Sequence, residues 1–143
     1  MSHYLPLLSG IAIGVLLAAA CHTDYKKRII PNAIPILILA AGFFTSGSFL
    51  MKIVNLAAMV LIIVVAEKAL HQHSGGGDIK LYLALSFALG LLSLGIVLME
   101  TILIYAIYHA LTKKGKLKGH RFPVACFVFP SYCIYFLTST ILL

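Results

Sequence analysis

Apolar stretches of about twenty residues follow one another along this chain, separated only by short basic, polar or glycine-rich stretches. A helix of that length crosses a hydrocarbon layer of about 30 Å, and a helix satisfies its own backbone polar groups there without help from water. Composition points the same way. Of the 143 residues, 62% are hydrophobic and 10% charged, against about 25% charged in a soluble domain. That much apolar surface cannot be hidden around one small core. The chain reads as an all-α, polytopic membrane protein, a single membrane-embedded domain over 1–143 with no linker and no internal repeat.

The first span is expected over about Tyr4 to Thr23. Its end, Leu17-Ala18-Ala19-Ala20-Cys21, looks like a lipoprotein cleavage site. No Lys or Arg precedes the run, as a signal peptide requires, and Lys26-Lys27-Arg28 follows it instead. The span is therefore read as uncleaved, with its N-terminus outside. Pro31-Asn32 breaks the chain and is expected to stop and cap a second span over about Ala33 to Phe49, with Pro35 in its first turn, where proline costs little. A third span is expected from about Ile53 to Leu70. It is followed by His71-Gln72-His73-Ser74-Gly75-Gly76-Gly77-Asp78, whose glycines cannot continue a stable helix. The next 33 residues, Ile79 to Leu111, would make a helix of about 50 Å, too long for one crossing and short for two. Gly90 and Gly95, with Ser93 between them, offer a turn. Charge decides: with two spans there, every Lys and Arg except Lys52 faces the cytoplasm, as the positive-inside tendency requires. A last span over about Phe122 to Leu142 makes six transmembrane helices, the fourth of them short, with the N-terminus and C-terminus outside.

Eleven Lys and Arg against four acidic residues give a net charge of +7. Gathered between apolar runs, this charge fixes orientation and touches the headgroups of the lipid bilayer; no nucleic acid is expected as a partner. Cys21, Cys126 and Cys133 form no C-x-x-C pair and are expected as small packing residues, outside any zinc site or disulfide framework. His71 and His73 are spaced too closely to share a helix face with each other beside Asp78, so no metal is expected, and no other cofactor. Glu100 falls inside a span, where it must be paired or wet. A structural hydrogen bond is expected for it, with Tyr105 and His109 in reach by helical spacing. The basic stretch 113–121 is expected as a lipid-facing cluster.

Asp24 and Asp78 are the only aspartates, and the six-span topology puts both at the cytoplasmic face. If the first and fourth helices pack together, the two carboxylates meet. They cannot then both ionise easily, so one holds a proton while the other stays basic. Such a pair can activate a water and protonate an amide leaving group. Gly75, Gly76 and Gly77 remove side chains where an extended peptide would approach. The dipole at the start of the fourth helix favours Asp78 as the ionised base and Asp24 as the protonated partner, although a coupled pair titrates as a unit. Lys80 is placed either to tune Asp78 or to anchor the helix at the lipid surface. Arg28 is placed either as an anchor or to orient the loop.

Asp24-Tyr25-Lys26-Lys27-Arg28-Ile29-Ile30-Pro31-Asn32 resembles the D-x-x-x-R-x-I-P-N block of type IV prepilin peptidases, and Gly75-Gly76-Gly77-Asp78-Ile79-Lys80-Leu81 resembles their G-x-G-D-x-K-L block. The resemblance implies that Asp24 and Asp78 are a catalytic pair, that Gly75, Gly77, Lys80, Arg28, Pro31 and Asn32 shape the site or bind substrate, and that the substrate is a prepilin-like protein with a short basic leader. The length and the lack of C-x-x-C pairs resemble the short, peptidase-only enzymes of Flp/Tad-type pilus systems, so no methyltransferase domain is expected. The alternatives are a preflagellin or pseudopilin peptidase of the same mechanism, and a small membrane transporter or assembly subunit using Asp24, Asp78 and Glu100 as proton or cation sites.

Overall fold

The computed structural model describes residues 4–70, 75–112 and 124–142. His71, His73 and the stretch 113–121 lie outside the described residues. Among those described there are six helices: α1 Tyr4–Lys27, α2 Ala33–Gly42, α3 Phe49–Leu70, α4 Gly76–Leu89, α5 Leu91–Thr112 and α6 Val124–Leu142. Four of them, α1, α3, α5 and α6, are long and apolar enough to cross a membrane.

Of the remaining two, α4 was expected to be short, whereas α2 corrects the expectation of a second span reaching Phe49. It has 10 residues and stops at Gly42, a length of about 15 Å. α4 has 14 residues, about 21 Å. Neither matches a hydrocarbon core of about 30 Å. The break expected between Ile79 and Leu111 is present and falls at Gly90 alone (φ +86°, ψ +160°), a region of backbone space that is essentially open only to glycine. Gly95 and Ser93 lie within α5.

Side-chain contacts fix the direction of each helix. At one end of the bundle Asp24 meets the start of α6, and further along, Tyr132 of α6 donates from its hydroxyl to the Gly10 carbonyl of α1 at 2.8 Å; α1 and α6 are antiparallel. α5 is antiparallel to α6: the Tyr105 ring packs edge-on to Phe127 at 6.0 Å, and the Tyr135 hydroxyl donates to Ser93 Oγ at 2.7 Å. α2 and α4 run parallel, joined by Lys80 and Asn32 at one end and by Gly42 against Ala88 at the other. A side chain at Gly42 would come within 3.0 Å of the Ala88 backbone, so the missing Cβ sets how closely the two short helices approach. The apolar core runs between the helices through Ile13, Leu17, Ile38, Leu81, Leu85, Val97 and Val128, all essentially inaccessible to solvent. The chain thus passes back and forth six times. Asp24 and Asp78 lie at one end, and Tyr4, Gly90 and Leu142 lie toward the other.

A helix that ends short of an aqueous surface must satisfy its last carbonyls from within the protein. Here α3 supplies the donor. Lys52 is only 6% exposed, and its Nζ donates to the Gly42 and Thr45 carbonyls at 2.5 and 2.8 Å. The ammonium lies 5.9 Å from the centre of the Phe87 ring. Thr45 Oγ1 adds bonds to the Gly42 and Ala88 carbonyls at 2.7 and 2.8 Å. A cation at a helix C-terminus is also favoured by the helix dipole. This polar latch explains why α2 stops where hydrophobicity alone would carry it on. Lys52→Met should leave these carbonyls short of donors, at a cost of about 1–3 kcal/mol, and lower the thermal unfolding temperature in detergent by a few degrees. Exposed Lys68→Met should leave it unchanged.

Candidate functional site

The first motif begins in the last turn of α1. The helix runs past the expected boundary at Thr23 to Lys27, so Asp24 projects from a regular helix. The helix stops because Arg28 adopts a left-handed conformation (φ +53°) while its N–H still donates to the Asp24 carbonyl at 2.9 Å. Such a residue is a common helix terminator, usually glycine. The Arg28 side chain is exposed, so what Arg28 contributes to the visible geometry is this backbone turn. Beyond it, Ile30 is buried and the exposed Pro31 accepts the Ile34 N–H at 3.1 Å as α2 opens.

Asp24 is 7% exposed. Its Oδ2 accepts the backbone N–H of Ala125 at 3.2 Å, a donor in the first turn of α6. Asp78 sits in the first turn of α4, with its own N–H donating to the Gly75 carbonyl at 3.0 Å. It lies outside the four helices long enough to cross a membrane. Burial and, second, the neighbouring Asp24 carboxylate push the Asp78 pKa above the ordinary carboxylate value. The two acids therefore feel one another. Each also faces the positive end of a helix, Asp78 that of α4 and Asp24 that of α6. The dipole argument for Asp78 as the base thus loses its force, because the same effect acts on Asp24.

The glycines act through space rather than through unusual backbone angles. Gly75 has φ −61°, and among the described residues the glycines with positive φ are Gly47 and Gly90. A Cβ on Gly75 would lie 3.2 Å from Asp78 Oδ2, so its absence leaves room for that carboxylate. A Cβ on Gly77 would lie 3.3 Å from the Cβ of Ile30, so its absence lets the start of α4 close on the α1–α2 loop. Gly76 faces open space.

A second contact joins the same two segments. Lys80 Nζ donates to Asn32 Oδ1 at 2.8 Å. Asn32 was expected to cap α2, but its side chain makes no capping bond there; it is engaged by Lys80 instead. Lys80 thus reaches α2, where tuning of Asp78 or a lipid anchor was expected. From this contact a groove of about 410 Å³ runs between the parallel helices, lined by Asn32, Pro35, Ile36, Leu39, Lys80, Leu83 and Ala84. All eight residues singled out from the sequence thus lie on or beside one end of the bundle. Glu100 does not join them. Its Oε2 is buried without a hydrogen-bond partner among the described residues, so the expected structural bond is not made at that oxygen.

Sequence reasoning missed Ala125, which acts through a backbone N–H that any residue type except proline would carry. It also missed the groove, which depends on two helices being short and parallel. If Gly77 sets the approach of α4 to the loop, Gly77→Ala should lower stability by about 1–3 kcal/mol and Gly76→Ala by less than about 0.5 kcal/mol, measured as thermal unfolding in detergent. The cost of Gly77→Ala should shrink in an Ile30→Ala background, since the two sites share one contact.

The model of the type IV leader peptidase family matches residues 11–110, a stretch that contains both aspartates and both motifs. The prepilin leader peptidase/N-methyltransferase of Bacillus subtilis (strain 168) is 32% identical over 111 residues, covering 74% of this chain and 45% of the relative. The chain therefore spans less than half the length of that relative. No solved structure matches it. With both aspartates inside the matched stretch, the chain belongs to the type IV leader peptidase family.

Proposed function

We propose that this protein is an aspartic endopeptidase that removes the leader of prepilin-like precursors at the cytoplasmic face of the bacterial inner membrane, with Asp24 and Asp78 as its catalytic pair. The observation that carries the reading is the placement of two carboxylates at one end of the bundle, Asp24 in the last turn of α1 accepting the first-turn N–H of Ala125 and Asp78 in the first turn of α4. One carboxylate takes a proton from water as the water attacks the scissile carbonyl. The other gives its proton to the departing amine. The helix N-terminal N–H groups steady whichever carboxylate is ionised, and no cofactor enters this scheme.

The precursor's apolar helix lies along the groove between α2 and α4, against Pro35, Ile36, Leu39, Leu83 and Ala84. The groove begins at Lys80, two positions from Asp78. Seating the precursor there would hold the junction beside the aspartates, and positioning of this kind supplies much of the rate. Gly75, Gly77, Lys80, Asn32, Pro31 and the Arg28 turn shape the approach. We read the activity as peptidase alone, of the Flp/Tad type, with the six passes oriented so that both termini lie outside.

Asp24→Asn and Asp78→Asn should each lower cleavage of a purified precursor by at least about 100-fold while the protein stays inserted and folded. Substrate panels of prepilin, pseudopilin and preflagellin precursors set the preference. The raised Asp78 pKa sets the sign of the pH response. The shared proton persists above the ordinary carboxylate range and is lost as pH rises through the raised value, so kcat/KM falls on the alkaline side. On the acid side it falls as the second carboxylate protonates. A bell-shaped profile is expected, with apparent values belonging to the pair.

Orientation is read separately from activity. On a background free of native cysteines, Lys27→Cys should label from the cytoplasm and Ser46→Cys from outside. Labelling of both from one side would overturn the alternating path.

A further inference from the structure

Another pair of side chains meets at the same end of α1 and α6 and takes no part in the proposed chemistry. Cys21 lies one turn before Asp24 on α1, and Cys126 follows Ala125, whose N–H holds Asp24. Cys21 Sγ donates to Cys126 Sγ at 3.0 Å, and Cys126 Sγ donates to the Cys21 carbonyl at 3.3 Å. Both are free, half-buried thiols. They face one another across 105 positions of sequence, so a bond between them would tie the first helix to the last.

We propose that Cys21 and Cys126 form a reversible redox site, in which a peroxide converts the two thiols to an intramolecular disulfide that locks α6 on α1 and shuts the aspartate site. The sulfurs of a disulfide are about 2.05 Å apart, so a closing of about 1 Å completes the bond. α6 can supply that movement at its first turn. Pro130 lies four positions after Cys126 within α6 and has no N–H to offer the Cys126 carbonyl, which leaves this turn with one backbone tie fewer.

The chemistry balances with peroxide as the oxidant. One thiolate attacks the peroxide, forming an S–O bond and breaking the O–O bond, and the released hydroxide takes up the thiol proton as water. The second sulfur then attacks the sulfenic acid sulfur, forming the S–S bond and expelling the hydroxyl group as water with the second thiol proton. Two thiols lose two electrons, and one peroxide becomes two waters. At a cytoplasmic face the pair rests as thiols, because that compartment keeps cysteines reduced until an oxidant arrives.

Closing the bond moves Ala125, and with it the N–H that holds Asp24. A displacement of about 1 Å in a catalytic geometry can cost about 100-fold in rate. The loss of cleavage rests on the proposed function; the formation of the bond does not.

The full chain, purified in detergent, is treated with hydrogen peroxide and followed by intact mass, by non-reducing gel and by precursor cleavage. The wild type should lose two hydrogens, remain a monomer, cleave at least about tenfold more slowly, and recover with dithiothreitol. Cys133→Ser should behave like the wild type. Neither Cys21→Ser nor Cys126→Ser should form the disulfide; the variant that keeps the peroxide-attacking sulfur should stop at the sulfenic acid, one oxygen heavier, and both should keep their activity. An unchanged wild-type mass, a bond through Cys133 or between chains, or a disulfide that leaves cleavage unaltered would each overturn the proposal. If the reduced protein cleaves no precursor, the peptidase reading fails instead, and mass and gel still decide whether the bond forms.

Discussion

The end of the bundle that carries both aspartates depends on one close approach, that of α4 to the loop after α1. Asp24 and Asp78 stand on helices far apart in sequence, and each is fixed to its own helix. What sets their relation is how near the start of α4 can come to the loop over Ile29–Asn32. Gly77 against Ile30 sets that distance, and Lys80 bonded to Asn32 sets the rotation. One contact is a missing side chain, the other a long one reaching across. The residues of the two motifs that carry no carboxylate thus act as the joint between the segments that do.

Much of this was legible in the sequence, and the reason differs from residue to residue. Apolar runs and their breaks revealed the helices, because hydrocarbon enforces the pattern at every position. The two aspartates stood out because charge at a membrane is expensive, and Gly75 and Gly77 because side-chain absence leaves a mark in sequence. Helix length was the main failure. The run from Ala33 to Phe49 was read as one span, but α2 stops at Gly42, whose carbonyl is satisfied by Thr45 in the turn that follows and by Lys52 ten positions on. Asn32 does stand at the cap position of α2, as expected, yet without a side-chain capping bond. Its type suits a cap, but a lysine 48 positions away claims its oxygen.

The electrostatics of the site show a further limit of reading charge from sequence. Only four acidic side chains exist to be counted, yet the Asp24 carboxylate is held by a backbone N–H in the first turn of α6. Side chains announce themselves by name, whereas backbone dipoles are supplied by whichever helix happens to begin nearby. The two carboxylates are therefore more alike in surroundings than their motifs imply. Under the proposed function, near-equivalence would suit a pair that exchanges the roles of acid and base within one turnover.

The shortness of α2 and α4 bears on the membrane as well as on the protein. Against a hydrocarbon core of about 30 Å, helices of 10 and 14 residues leave shortfalls of about 15 and 9 Å. Lipid beside them must compress or tilt to cover their ends, at fractions of a kcal/mol for each Å of mismatch. A bilayer around this bundle would accordingly be thinnest along the face that bears the groove. Under the proposed function, the water that a hydrolysis consumes would have the least hydrocarbon to cross there, and a precursor helix entering the groove would meet a membrane already drawn down toward the aspartates.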